Sequence, residues 1–237
     1  MNTIKIDSKN TKIIAHMGLS GLEIENSIPA FVAAGNRSYF GIETDVHRTA
    51  DEGKFVLIHD KTTDRMAGDS INVETSSYEL VRKIILGNDK RRQELVIPSL
   101  EDYIRVCKKY EKMCILELKC EFTPDEIDGL INAIDKMGYL EHVVFISFGL
   151  DLLKEVRMRL PSQEIQYLRD EYEEELLGVL KEYHFDLSVE YKSLTKEIID
   201  LLHSEGIKVA CYTCDNNSDA EILIDWGVDY LTTNILE

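Results

Sequence analysis

Polar residues that could do chemistry stand where short apolar runs end. His16 closes Lys12-Ile-Ile-Ala15, and Glu43 and Asp45 lie within Gly41-Ile-Glu-Thr-Asp-Val46. His59 and Asp60 follow Phe55-Val-Leu-Ile58, and Glu117 sits in Ile115-Leu-Glu-Leu118. Each run reads as a β-strand. Residues two apart on a strand share a face, so Glu43 and Asp45 project together, away from the helices if Ile42 and Val46 meet them. Two such carboxylates repel unless a positive charge lies between them. Glu117 adds a third oxygen ligand without any nearby cysteine pattern, and that donor set suits a hard cation, Mg²⁺ or Ca²⁺. An ion pair with Lys119 or Arg48 is the plainer reading. It accounts for Glu117, two residues from Lys119, but not for Glu43 and Asp45. Histidine titrates near neutrality, so His16 and His59 are candidates for a proton donor and acceptor beside these carboxylates. His142, His184 and His203 fall on expected helices or their ends and lack that placement; His47 stays unassigned.

Positioning these groups requires parallel strands. Strand-like runs recur at Lys12–His16, Gly41–Val46, Lys54–Ile58, Met113–Leu118, Val143–Ser147, Glu164–Leu168, Asp186–Glu190, Lys208–Tyr212 and Asp229–Thr233. Helical patterns are expected near Ser27–Ala34, Ser99–Lys109, Pro124–Met137, Gly149–Arg159, Glu173–Tyr183, Thr195–Glu205 and Asp219–Trp226. Strand and helix alternate as in βαβ units. Nine strands are one too many for an eight-stranded barrel. Only Thr49-Ala-Asp-Glu-Gly53 separates the second run from the third, which leaves no room for a crossover helix, so these two form an antiparallel hairpin. Folding back at Asp51 brings His59 within about a residue of Glu43. The stretch from about His47 to Ile97, including a charged loop-like region around Gly87–Glu94, is then an insertion after barrel strand two. The remaining eight strands and seven helices predict an α/β fold, a (β/α)₈ TIM barrel forming one domain over residues 1–237. In such barrels the chemistry lies at the C-terminal ends of the strands.

Charge narrows the partners. The chain carries 44 acidic and 27 basic residues, a formal charge of −17, which repels nucleic acid and anionic membranes over most of the surface. We therefore expect no nucleic-acid partner and no stable membrane association. The opening Met1–His16 segment has the composition of neither a signal peptide nor a spanning helix, and the expected address is cytoplasmic. Five cysteines would be thiols in that compartment. Cys211-Tyr-Thr-Cys214 has CxxC spacing at the end of a buried strand, without a redox-helix context or a second pair for zinc, and reads as packing.

In order along the chain, Ile14-Ala-His16-x-Gly18, Glu25-Asn26, Gly41-Ile-Glu43-Thr-Asp45-Val-His47 and Val56-Leu-Ile-His59-Asp60 resemble the motifs of the glycerophosphodiester phosphodiesterases. Pro98-Ser-Leu-Glu101, Leu116-Glu117-Leu118-Lys119, Ile146-Ser-Phe148, Tyr212-Thr213 and Gly227-Val-Asp-Tyr-Leu-Thr-Thr-Asn234 are similar to the later ones, so that the resemblance runs from about Lys12 to Asn234. It implies a metal-dependent hydrolase acting on a small-molecule phosphodiester, releasing sn-glycerol 3-phosphate and an alcohol. It further implies that Glu43, Asp45 and Glu117 hold the cation and that His16 and His59 are general acid and base. Lys119 would sit by the phosphate, and Glu25 and Asn26 would support the site, although their own signal is only that of a helix cap.

Three positions depart from the family pattern. Met17 stands where the family usually has Arg in His-Arg-Gly, removing a charge-assisted phosphate contact. Arg48 or Arg65 could compensate from the insertion. Glu52 looks like an extra residue in the hairpin turn. Tyr212 replaces a Trp and can still line a choline-accepting wall. Two other readings remain: a lysophospholipase D-type enzyme, which the charged insertion disfavours, and a phosphodiester binder that lost turnover with the arginine, which retention of both histidines disfavours.

Overall fold

The computed structural model describes residues 2–87 and 91–237. Its strands are β1 (Lys12–Ala15), β2 (Gly41–Arg48), β3 (Phe55–Leu57), β4 (Met113–Leu118), β5 (Val143–Ser147), β6 (Ile165–Arg169), β7 (Asp186–Glu190), β8 (Val209–Tyr212) and β9 (Tyr230–Thr233). All pair in parallel except β3, which runs antiparallel to β2. Pairing of β1 with both β2 and β9 closes a ring of eight strands, the expected (β/α)₈ barrel, with β3 outside it.

The helices between strands are α1 (Ile28–Gly35), α4 (Leu100–Tyr110), α5 (Pro124–Asp135), α6 (Leu150–Arg159), α7 (Leu176–Tyr183), α8 (Lys196–Ser204) and α9 (Asn217–Trp226), close to the sequence expectation. Two single-turn helices that the sequence analysis did not separate, α2 (Asp64–Ala67) and α3 (Tyr78–Val81), lie after β3. Local chemistry sets the helix starts. Ser99 and Asp102 form a reciprocal capping box on α4, as do Thr123 and Glu126 on α5, with Pro124 in the first turn. None of the described helices is long and apolar enough to cross a membrane.

Alternation sorts the strands into two cores. Ile42, Val46, Leu116 and Phe145 point outward into the main cluster with Phe31, Tyr103 and Leu130 of the helices. Ile14, Ile115, Val144, Ile146, Leu168 and Ala210 fill the barrel interior. After β2 a third cluster, built from Val56, Ile58, Val73, Val81, Leu86, Leu95 and Ile97, buries the apolar side of the segment that the sequence marked as an insertion. Residues 88–90 of its charged loop lie outside the described residues.

The hairpin differs from expectation by half a step. β2 continues through Arg48 instead of ending at Val46, and Val46, His47 and Arg48 face Leu57, Val56 and Phe55. The fold-back point thus lies between Asp51 and Glu52, and the register carries His59 opposite Thr44. His59 is still within a residue of Glu43.

Candidate active site

The interior face of β2 delivers Glu43 and Asp45 side by side, 3% and 1% exposed. Glu117 arrives from the neighbouring β4, where it is in register with Asp45. One oxygen from each of the three carboxylates lies within 4.8 Å of the others. Lys119 bridges them, its Nζ 3.0 Å from Glu117 and 3.7 Å from Asp45. The plain ion-pair reading is therefore present but incomplete, because one ammonium faces three carboxylates. Like charges about 4 Å apart repel by about 4 kcal/mol at an effective dielectric of about 20. Burial, then Asp45 and Glu117 beside it, push Glu43 well above the usual carboxylate range. Burial and Asp45 push Glu117 up to about 7. Burial pulls Lys119 down, but Glu117 and Asp45 outweigh it and leave the ammonium favoured. Two uncompensated negative charges on three convergent oxygens are what a divalent cation would neutralise, so the residues fit one.

Their supports are built from neighbouring loops. Met17, at φ 49°, turns its backbone N–H onto Glu43 Oε2 at 2.7 Å. Asn26, buried and at φ 50°, donates Nδ2–H to Asp45 Oδ2 at 2.7 Å and accepts from Thr44 Oγ1 at 2.6 Å. Neither Glu25 nor Asn26 caps α1; Ser27 does, accepting from the Ala30 amide. Glu25 instead grips Arg65 through two oxygens at 2.6 and 3.0 Å.

Both histidines are anchored through Nδ1. His16 meets Asn234 Oδ1 at 2.8 Å, and its Nε2 lies 4.0 Å from Glu43. His59 meets Asp60 Oδ1 at 2.7 Å, and its Nε2 lies 3.2 Å from Lys119 Nζ. Asp60 in turn accepts from Arg65 Nε, so Glu25, Arg65, Asp60 and His59 form one chain. Arg65 is thereby committed to two carboxylates. Arg48 turns to Glu126 and the Glu74 and Glu121 carbonyls. Neither arginine replaces the one missing at Met17.

The mouth opens into a cleft lined by His16, Glu43, Glu117, Phe148, Gln166, Ser188, Tyr212 and Thr232. Tyr212 donates its hydroxyl to the Arg169 carbonyl at 2.9 Å, and its ring meets Phe148 edge-on at 6.3 Å. The sequence analysis named Asp60, Asn234 and Phe148 but gave them no role, and it did not single out the interior polar residues Gln166, Ser188 and Thr232. Asp60 and Asn234 were findable by the rule that picked the histidines, since each follows an apolar strand. The other polar residues needed the strand phase.

Charged groups gathered at the C-terminal mouth of a closed parallel barrel define an enzyme of the (β/α)₈ class. Residues 16–237 match the glycerophosphoryl diester phosphodiesterase family, and the chain belongs to it. It is 30% identical to a glycerophosphodiester phosphodiesterase of Caldanaerobacter subterraneus subsp. tengcongensis over 94% of each chain. A crystal structure of a glycerophosphodiester phosphodiesterase from Parabacteroides distasonis matches at 29% identity with a TM-score of 0.81, covering 95% of this chain and 93% of that one. A phosphodiesterase of Oleispira antarctica, in complex with the product sn-glycerol-3-phosphate, shares the fold at 21% identity and a TM-score of 0.83, over 96% and 94%.

Proposed function

We propose that this chain hydrolyses water-soluble glycerophosphodiesters, such as glycerophosphocholine, to sn-glycerol 3-phosphate and an alcohol. One observation carries the reading: His16 and His59, each held at Nδ1, bring Nε2 to the Glu43, Asp45 and Glu117 cluster, His16 4.0 Å from Glu43 and His59 3.2 Å from the Lys119 ammonium that pairs with Glu117 and Asp45. Those three carboxylates would hold the divalent cation, Mg²⁺ or Ca²⁺. When bound it supplies charge neutralisation for a non-bridging phosphate oxygen.

The chain's own residues would do the proton chemistry. Proton uptake at Nε2 makes an imidazolium, and the Asp60 carboxylate at Nδ1 suits His59 to that base role. His16, whose partner Asn234 is neutral, is then the acid that protonates the leaving alcohol oxygen. Lys119 meets a phosphate oxygen, and Met17 offers only its backbone where an arginine would bind. The aromatic pair Phe148 and Tyr212 provides a wall for a trimethylammonium head group. The segment after β2 buries most of its apolar side chains in its own cluster, with Leu80 exposed, which favours a water-soluble substrate over a lysophospholipid.

We take the chain as one domain with that segment inserted after β2. We propose a cytoplasmic placement, with which the five buried free cysteines are compatible.

The test is release of glycerol 3-phosphate from glycerophosphocholine and glycerophosphoethanolamine with Mg²⁺, with Ca²⁺ and with chelator. Metal-dependent release is expected. Binding of either diester without product would favour the binder reading and overturn this one.

A further inference from the structure

His47, unassigned from sequence, continues the Glu43 and Asp45 face of β2 and is 2% exposed. Its Nε2 lies 3.3 Å from the main-chain carbonyl of His59. A carbonyl only accepts, so Nε2 carries the hydrogen and the neutral ring's lone pair is at Nδ1. That buried Nδ1 has no hydrogen-bond partner. It looks instead at Glu74 Oε1, 3.5 Å away, and at the buried thiol of Cys120. The three ligand atoms lie within 4.8 Å of one another. The second oxygen of Glu74 is taken by Lys61 Nζ at 3.2 Å, which leaves Oε1 facing His47. A lone pair facing a carboxylate oxygen in a buried place calls for something positive between them.

We propose that His47 Nδ1, Glu74 and Cys120 bind a second divalent cation of the Zn²⁺ type, at a site separate from the three carboxylates of the barrel. A nitrogen, an oxygen and a thiolate suit a borderline-soft ion, whereas the barrel carboxylates suit a hard one. Bonds of about 2.0–2.3 Å set tetrahedral ligands roughly 3.2–3.8 Å apart, a contraction that side-chain rotation supplies. Three protein ligands leave a fourth position for water. The Nε2–H bond to a backbone carbonyl is the contact that orients a ligating histidine, and Cys120 gives up its proton on binding. The ion ties β2, the end of β4 and the segment after β3 together beneath the His59 carbonyl, bracing the chain that carries His59. This site does not depend on the proposed reaction.

The experiment titrates the chelator-stripped full chain with Co²⁺ in excess Mg²⁺, which occupies the carboxylate centre. A thiolate-to-cobalt charge-transfer band in the near ultraviolet is expected at one equivalent, displaced by Zn²⁺. It disappears in Cys120→Ser and persists in Glu43→Gln and in Cys214→Ser, the last of which removes the CxxC spacing. Absence of the band from the unaltered protein overturns the site without reference to any variant. A band that survives Cys120→Ser, or is lost with Cys214→Ser, overturns it as well.

Discussion

Asn26 donates its side-chain amide to Asp45 at 2.7 Å while its own oxygen accepts from Thr44, so a loop residue before α1 fixes the orientation of a candidate metal ligand on β2. Removing such a support weakens metal binding by about 10–100-fold. Asn26→Ala is expected to raise the Mg²⁺ concentration needed for half-maximal activity by that factor with little change in diester KM. A changed KM at unaltered metal requirement would refute the assignment.

The chain from Glu25 through Arg65 and Asp60 to His59 orients one imidazole. His16→Ala and His59→Ala should each lower kcat by about 10²–10⁴-fold. Asp60→Asn keeps the shape but loses the charge and should lower kcat much more than it changes KM, because the imidazole tautomer and its charged form are no longer held. Stopped assays at saturating substrate separate these effects, and an Asp60→Asn enzyme with full kcat would dismiss the role given to Asp60.

In the proposed substrate complex, Met17 would leave the phosphate without a guanidinium. A hydrogen bond to a charged group contributes about 1.5–3 kcal/mol, so Met17→Arg should raise kcat/KM about tenfold or more. The backbone at residue 17 is already left-handed with Met, and Arg adds no new strain there. Unchanged kcat/KM would mean that the arginine side chain does not reach the phosphate in this protein.

Glu117 is pushed up to about 7 from an ordinary 4.5, and Glu43 is raised well above the ordinary range by burial and its two carboxylate neighbours. The folded, cation-free protein then holds more protons than the unfolded chain between about pH 4.5 and 7. Stability contributed by these protons is present at low pH and is lost as pH rises through that window. In chelator, melting temperature should decline across it, and Glu117→Gln should flatten the decline. Added Mg²⁺ should stabilise most above about pH 7, where the carboxylates are charged. A Glu117→Gln protein with the original slope would contradict this account.

Gly18 sits at φ 77°, and a Cβ there would lie 2.7 Å from the Ala30 Cβ. Both strain and overlap oppose a side chain, so Gly18→Ala should cost about 1–3 kcal/mol. Thermal unfolding reads this as a melting point lower by several degrees.

Strand and helix positions were readable because they follow local periodicity. Ile42 and Val46 against Glu43 and Asp45 announce two faces of β2, and Ser99 with Asp102 announces a helix start. The hairpin was readable from its short turn, while its register was off by half a step, because a turn of this length does not by itself fix which residues pair across it. The Glu25-Asn26 pair misled as a cap, since Ser27 satisfies the helix and leaves both residues for longer-range partners.

What the residue order determined, then, is the alternation that builds the barrel and the carboxylate pair on one strand, both products of spacing within a few residues. Only the closed barrel decided the rest. Asn234 holds His16 from 218 residues away, because β9 returns beside β1. Arg65 serves Asp60 and Glu25 instead of phosphate, and His47 meets Glu74 and Cys120, because the segment after β2 packs back against the end of that strand. Such contacts join strands and loops distant in the chain, and their partners are set by closure of the ring and not by any local pattern.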